Sequence, residues 1–406
     1  MRLLLVTGGF AGPNRQPWLM DDLAEALVNA GHSVDVIVGD PKTPRPRGEQ
    51  PAEDPRITLF SVGPSRPTRG GLSRLFGHFR VGLGLHTHAY SWVARRQYDL
   101  CVFASPASFS WGFPRRVRKA GVVRRSVLFL WDFFPIHQLE IGRINLPWLG
   151  SVMKVIERRS IDAADVVALM SPANRRFFFS YHRGAKNATI EVPPWASSKQ
   201  LTTRPLPGPP LRVIFGGQIA KGRGIDTLVD AALLLQSQSS SVQILVAGEG
   251  PERRVLEERA AGLGLSNIEF LGALPREEYR DLARSAHVGL AITVPGISPP
   301  SFPSKIVEYC SLGIPVLVCV EASSDAGEFV IQNGAGLSVP AGDPEALAIA
   351  IRKLERSLHT GELKKMSVAA HDVFNARLSV ERVVEHLDRI ARDTLSSPQI
   401  EADIEP

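Results

Sequence analysis

The sequence predicts an α/β protein made of two doubly wound parallel-sheet domains in series. Three observations predict it. Short apolar runs alternate with helix-period patterns through the first half, as they do where a parallel sheet carries helices on both faces. A proline-rich stretch then breaks the pattern, with Pro193, Pro194, Pro205, Pro207, Pro209 and Pro210. After it the same alternation starts again. At 406 residues the chain exceeds the size at which one hydrophobic core keeps growing, so two domains are the ordinary expectation.

The elements follow in order. Leu3–Thr7 is an apolar run ending in a glycine turn, read as a buried first strand rather than a signal peptide. Leu19–Asn29 has helical spacing, and Gly31 stands at the C′ position, where a left-handed residue ends a helix at little cost. Strands are expected at 34–38, 57–62, 100–104, 126–130, 166–170 and 189–192, with helical segments between most of them. Proline fits neither a sheet nor a helix interior, so 196–210 reads as a linker. The second series has strands at 211–215, 242–247, 268–271, 288–292 and 316–320 and a helix over 225–235. After Ser379, the residues Val380, Val383, Val384, Leu387, Ile390 and Ala391 share one helical face. The predicted organisation is 1–195 for the first domain, 196–210 for the linker, 211–378 for the second domain, a crossover helix over 379–395 that packs back on the first domain, and a frayed end from 396. Two such units leave a cleft between the carboxyl ends of their strands, where ligands bind in folds of this kind.

Composition narrows the class. The apolar and charged fractions, 44% and 22%, are those of an ordinary globular chain. There is no run of ~18 apolar residues, so no transmembrane helix is expected. Cys101, Cys310 and Cys319 show no metal spacing and fit a structural role in a reducing compartment. The net charge of +6 is uneven: residues 66–125 hold twelve Arg or Lys and one acid, Asp99. Such a block suits an anionic surface or a solvated arginine-rich face. No nucleic-acid reading module accompanies it, so nucleic acid is not an expected partner.

Two motifs carry chemistry. The first, Phe215-Gly-Gly-Gln-Ile-Ala-Lys-Gly-Arg-Gly, follows a strand and opens a helix. Gly216 and Gly217 let a ligand approach the backbone, and Lys221 adds a full charge near a helix N-terminus beyond Gly224. Together these hold a diphosphate without a metal; a plain strand-to-helix turn with an exposed lysine would read the same way. The second is Pro300-Ser-Phe-Pro-Ser-Lys-Ile-Val-Glu-Tyr-Cys-Ser-Leu-Gly-Ile-Pro-Val. Ser304 is placed to cap its helix, and Glu308 falls one turn in, able to accept from a ribose diol or to sit as a surface acid. Between them, the turn at Gly248 and the loop Gly272 to Leu274 end strands at the mouth of the same site. The latter is placed to read a base edge or to form an ordinary loop.

In the order and spacing of Gly-Gly-Gln-Ile-Ala-Lys-Gly (216–222), Ala-Gly-Glu-Gly-Pro-Glu (247–252), Phe-Leu-Gly-Ala-Leu-Pro (270–275) and Pro-Ser-Lys-Ile-Val-Glu-Tyr-Cys-Ser-Leu-Gly-Ile-Pro-Val (303–316), the chain resembles the family 4 glycosyltransferases of the GT-B fold over nearly its whole length. The resemblance implies that Lys221 holds the donor diphosphate and Glu308 the ribose. It departs from the common pattern at three places. Gln218 replaces an arginine, leaving Lys221 as the main cation with Lys305 beside it; Pro300 replaces the first glutamate of E-x7-E; and Trp131, before Asp132, replaces a histidine. A subgroup that transfers amino or deoxy sugars in surface-polysaccharide synthesis looks like this, with Trp-Asp-x-x-Pro and a proline-tryptophan segment, here Pro193-Pro194-Trp195.

The implied reaction moves a hexose or an N-acetylated amino or deoxy sugar, with retention, from a nucleotide sugar taken as UDP-linked. The acceptor is lipid-linked or a glycan, as in lipopolysaccharide synthesis. The nucleotide sugar is a co-substrate; no cofactor or metal is expected. Lys221, Gln218, Lys305 and the helix N-terminus would stabilise the departing diphosphate, with Gly217, Gly248, Gly272, Leu274 and Ser304 lining the donor site. Gly9, in the turn after the first strand, and Asp132 would face the reacting centre, with Asp132 the catalytic-side polar group and His137 the alternative. The expected place is the cytoplasm, on the inner membrane face, with Leu72, Leu75, Phe76 and Phe79 among the arginines of 66–125 making contact with anionic lipid. A nucleotide-sugar epimerase of related fold and a non-catalytic nucleotide-sugar-binding protein are the competing functions.

Overall fold

β1 (Arg2–Thr7) is buried through Leu3, Leu4, Leu5 and Val6, as a central parallel strand with covered faces must be. It starts the first of two α/β units. The computed structural model describes residues 1–10, 19–39, 45–63, 77, 80–105, 110, 112–142, 147–197 and 206–392. The first unit continues with α1 (Leu19–Asn29), β2 (Ser33–Val38), β3 (Gly48–Gln50), β4 (Ile57–Ser61), α2 (Tyr90–Val93), β5 (Tyr98–Ala104), α3 (Phe113–Lys119), β6 (Val123–Leu130), α4 (Ile136–Glu140), α5 (Pro147–Ile161), β7 (Val166–Leu169), α6 (Pro172–Tyr181) and β8 (Ala188–Glu191). Its sheet runs β3-β4-β2-β1-β5-β6-β7-β8, parallel except for β3. The order reverses at β1 and β5, and that switch point is where a doubly wound sheet opens a crevice at its carboxyl ends.

The second unit holds β9 (Arg212–Gly216), α7 (Ile225–Ser237), β10 (Gln243–Ala247), α8 (Arg253–Gly262), β11 (Ile268–Gly272), α9 (Arg276–Ser285), β12 (Val288–Ile292), α10 (Ser304–Ser311), β13 (Val316–Val320), α11 (Ala326–Gln332), β14 (Gly336–Pro340), α12 (Pro344–Thr360) and α13 (Glu362–Val373). Its six strands are ordered β11-β10-β9-β12-β13-β14, all parallel, with the switch point between β9 and β12. β12 and β13 are buried at every residue. Both units are Rossmann-like, as the alternation predicts.

The chain divides at Pro193–Pro194 and again at Ser379–Val380, so α14 (Val380–Arg392) belongs to the first unit. It buries Val380, Val383, Val384, Leu387, Ile390 and Ala391 and packs on α1. His32 Nε2 lies 3.1 Å from Asp388 on this helix, and Arg125 donates to the Ile390 carbonyl. Within the second unit, Ala196 bridges to Ser379 and donates to Leu378 O at 3.2 Å. Of the stretch read as a linker, 198–205 lies outside the described residues. Leu206 packs against the second core, and the Pro207 carbonyl accepts from His287 Nε2 at 3.0 Å.

Each strand expected from the sequence forms at or beside its expected place; β3 and β14 were not expected. β3 is a three-residue antiparallel edge, and β14 (Gly-Leu-Ser-Val-Pro) is half-exposed and weakly apolar, so neither carries a clear period. Among the described residues no helix is long and apolar enough to cross a membrane. The three cysteines are buried and unpaired.

Candidate functional site

In the second unit the first motif forms the turn from β9 into α7, at the carboxyl end of the switch-point strand. Glycine makes this turn possible by close backbone approach. Gly217 N donates to Ala247 O at 3.0 Å, Ile219 N to Glu249 O at 2.9 Å, and Glu252 N to Ile219 O at 3.2 Å. These bonds zip the turn to the loop after β10. A Cβ on Gly248 would lie 1.8 Å from Gly217 O, and one on Gly250 would lie 1.9 Å from Ile219 O. Gly248 N in turn donates to Gly272 O at 2.7 Å, tying in the loop after β11. That bond engages the Gly272 carbonyl within the fold.

The turn presents Gln218, Lys221 and Arg223 to solvent. Gly224 is the N-cap of α7 with φ 73°, and no side chain caps the helix. A Cβ there would lie 2.4 Å from the Thr293 carbonyl at the end of β12. The N-terminus of α7 is thereby set into the β9–β12 switch point, with its first N–H groups available to an anion. Arg223 is a second exposed cation that the motif reading passed over.

The second motif forms α10, and here the structure corrects the expectation for Ser304. Pro303, in extended geometry, is the N-cap; Ser304 is the first helical residue and makes no capping bond. A hydroxyl already inside the helix cannot turn back to the N–H groups one turn on. Lys305 is paired with Glu308 one turn along the same helix, so the cation and the carboxylate expected to act on different parts of a ligand hold each other. Lys305 also lies 4.4 Å from the centre of the Tyr279 ring. Behind them Tyr279 and Tyr309 form a buried pair, with hydroxyls 3.0 Å apart, and Tyr309 donates to Ile214 O at 3.1 Å. The two rings fit only because Gly216 and Gly289 have no side chain: a Cβ at either would lie 2.2 Å from ring carbon. Burial pushes both phenols above their ordinary range, so they stay neutral. Pro300 is buried, and the next residue, Ser301, donates its N–H to Glu321 at 2.7 Å. Glu321, at the end of β13, also accepts from Thr293 Oγ1 at 2.5 Å. It pins the segment leading into α10, and no sequence motif marks it.

In the first unit, Gly9 and Asp132 stand at the carboxyl ends of β1 and β6. Gly9 is held in a tight turn by Thr7, whose hydroxyl donates to Gly9 O at 3.0 Å and accepts from Gly9 N at 3.3 Å. Asp132 is exposed. Ser105, at the end of β5, accepts from the N–H groups of both Trp131 and Asp132, at 3.0 and 3.1 Å. Phe134 N donates to Glu157 Oε1 at 3.0 Å, and Glu157 Oε2 lies 3.3 Å from His182 Nε2. Glu157 and His182 are almost wholly buried. Loss of water pushes Glu157 up to about 8 and His182 down to about 4. This pair under the Asp132 loop is the feature that sequence reasoning missed. Its signal is a glutamate on an inward face of an otherwise basic helix, visible only once α5 is placed. His137 lies on the next turn, with Gln138 Nε2 3.3 Å from its Nδ1.

The membrane contact expected of the arginine block falls in good part on residues outside the described ones. Leu72, Arg74, Leu75, Phe76 and Phe79 lie outside the described residues. Of the arginines that are described, Arg96 stacks on Trp92, Arg116 on Tyr90, Arg118 pairs with Asp165 at 2.6 Å, and Arg125 binds the end of α14.

Two Rossmann-like units, the second with a glycine-zipped turn bearing Lys221 at its switch point, define a glycosyltransferase of the GT-B class. The comparisons agree. Residues 19–195 match the family described as "Glycosyl transferase 4-like domain", and residues 210–357 match "Glycosyl transferases group 1". The chain belongs to these family 4 glycosyltransferases. It is 22% identical over 394 residues to WcaI of Escherichia coli, named as a colanic acid biosynthesis glycosyl transferase, covering 89% of this chain and 92% of that one. Sucrose-phosphate synthase from Thermosynechococcus elongatus shares the fold with a TM-score of 0.72 at 19% identity, over 97% of this chain and 98% of that one. HepE from Anabaena, solved with UDP, gives a TM-score of 0.64 at 15% identity, over 96% of this chain and 100% of that one.

Proposed function

We propose that the protein transfers a sugar, with retention, from a UDP-linked nucleotide sugar to a lipid-linked or glycan acceptor in cell-surface polysaccharide synthesis, at the cytoplasmic side of a membrane. The sugar is a hexose or an N-acetylated amino or deoxy sugar. One observation carries the reading: exposed Lys221 stands beside an uncapped helix N-terminus at the switch point of the second sheet. As the sugar leaves, negative charge develops on the diphosphate. A fixed cation and oriented N–H groups stabilise that charge more than they stabilise the bound donor, which is what lowers the barrier. Glu308 accepts from the ribose hydroxyls, and its pairing with Lys305 orients it. No cofactor or metal takes part. On the acceptor side Asp132, on a loop strapped by Ser105 and Glu157, contacts the reacting sugar or the incoming hydroxyl. The name of WcaI supports the pathway, and the UDP bound to HepE supports the nucleotide.

The test is a thermal-shift panel of nucleotides and nucleotide sugars, followed by transfer assays with and without EDTA. UDP and one UDP-sugar are expected to raise Tm, since a ligand at 100 times its Kd adds about 2.7 kcal/mol to folded-state stability. Transfer is expected to persist in EDTA. A shift with GDP or dTDP but not UDP would overturn the base assignment. Conversion of the donor without any acceptor would indicate an epimerase.

A further inference from the structure

We propose that the outer face of α5 and α6 in the first unit is a docking surface for an anionic phospholipid bilayer. It deepens the proposed function, resting on the lipid-linked acceptor for its purpose but not for its observations. Trp148, Val152 and Val155 recur at positions i, i+4 and i+7 of α5 and are 64%, 50% and 53% exposed. Phe179 on α6 adds a fourth apolar side chain, 39% exposed. Single exposed apolar residues are ordinary on a protein surface, but three in line on one helix face are not.

Cations interleave with the stripe. Arg159 continues the α5 face, Arg176 lies on α6 beside Phe179, and Arg183 follows the end of α6; all three are exposed. None has an ion-pair partner among the described residues. Between the helices runs a groove of about 680 Å³ whose lining includes Lys154, Arg158, Arg159 and Arg183. Arg158 keeps its walls in place: it pairs with Asp162 at 2.8 Å and donates to the carbonyls of His182, Arg183 and Gly184 at 2.9–3.1 Å. Lys154 stacks on Tyr181 at 3.8 Å. Arg158 and Lys154 are thus structural, while Arg159, Arg176 and Arg183 are free to meet lipid phosphate. Tryptophan and valine on the same face suit the boundary between headgroups and acyl chains. In the block at 66–125, Arg96, Arg116, Arg118 and Arg125 already have intramolecular partners.

The test uses the full chain and vesicles of phosphatidylcholine with or without phosphatidylglycerol. Wild type is expected to co-sediment with the anionic vesicles and to release in high salt. Arg159→Glu with Arg183→Glu is expected to weaken binding by about tenfold or more, since each basic residue near such a surface contributes roughly fivefold. Trp148→Ser with Val155→Ser is expected to weaken it as well. The same charge change at Lys353 and Arg356, on α12, should leave binding unaltered. Equal binding to neutral vesicles, or binding that survives both double variants, overturns the proposal. So does an effect confined to self-association in sedimentation velocity, which would make the face a protein interface. The UDP thermal shift is read on the same proteins. If vesicles bind and UDP gives no shift, the surface stands and the nucleotide reading falls. If UDP shifts Tm and vesicles do not bind, the surface alone falls.

Discussion

Lys221 is exposed and makes no contact on which the fold depends, so its removal separates function from stability. Lys221→Ala is expected to leave the melting temperature unchanged and to weaken UDP binding by roughly 10- to 100-fold, the range for a lost charge-assisted hydrogen bond. Calorimetric titration measures it; an unaltered affinity would mean that the helix end and Arg223 suffice. Glu157 gives a second residue-scale prediction. Its carboxyl, raised to about 8, keeps its proton in the folded state over a range where the unfolded chain has lost it. Its contribution is complete below about 4.3 and is lost as pH rises through 8. His182, lowered to about 4, works in the opposite sense: its contribution is present above about 6.5 and lost as pH falls through 4. Between those windows, from 6.5 to 8, Glu157 alone titrates of the two. There wild type should lose on the order of 1–2 kcal/mol relative to Glu157→Gln, which cannot ionise. Urea denaturation at pH 6.5 and 8 reads the difference, and parallel behaviour of the two proteins would show that Glu157 is not held neutral.

At the scale of the element, the zipped loops matter more than any one side chain. Gly248 has φ 146° and lies against Gly217 O, so a methyl group has neither the backbone region nor the space it needs. Gly248→Ala should cost about 2–4 kcal/mol and should also weaken UDP binding, because the β9–α7 turn must move to make room. Denaturant midpoints and UDP affinity together check this; loss of stability with intact affinity would uncouple the zip from the site. The same element shows how local signals mislead. Ser304 has the residue type of a cap but not the position, since Pro303 takes the extended geometry that a cap needs. Lys305 and Glu308 carry opposite charges at helical spacing, and their pairing follows from that spacing. The Tyr279–Tyr309 pair is different: its members are thirty positions apart, and only the strand-and-helix packing of the second unit brings their hydroxyls together.

At the scale of the whole molecule, the chain leaves its first unit and returns to it. α14 supplies six buried apolar residues to the unit that begins at Met1. A chain ending at Ser379 should therefore lose the first unit's melting transition, or shift it far down, while the second unit's transition stays. Scanning calorimetry shows which transition moves, and loss of both would mean that the units do not unfold separately. The sequence by itself determined the alternation of strands and helices, the amphipathic face of α14 and the glycine-lysine turn. Those depend on spacing along the chain: period-two and period-3.6 burial, and glycine where backbones must touch. Tertiary structure alone decided the rest. Glu157 became a buried neutral acid, Glu321 a pin for the segment before α10, and Arg96, Arg116, Arg118 and Arg125 of the basic block partners of side chains and backbone within the first unit, while Trp148, Val152 and Val155 of α5 stayed exposed. Burial and pairing are properties of what lies across from a residue, and strand order, which chain spacing does not encode, decides what lies across.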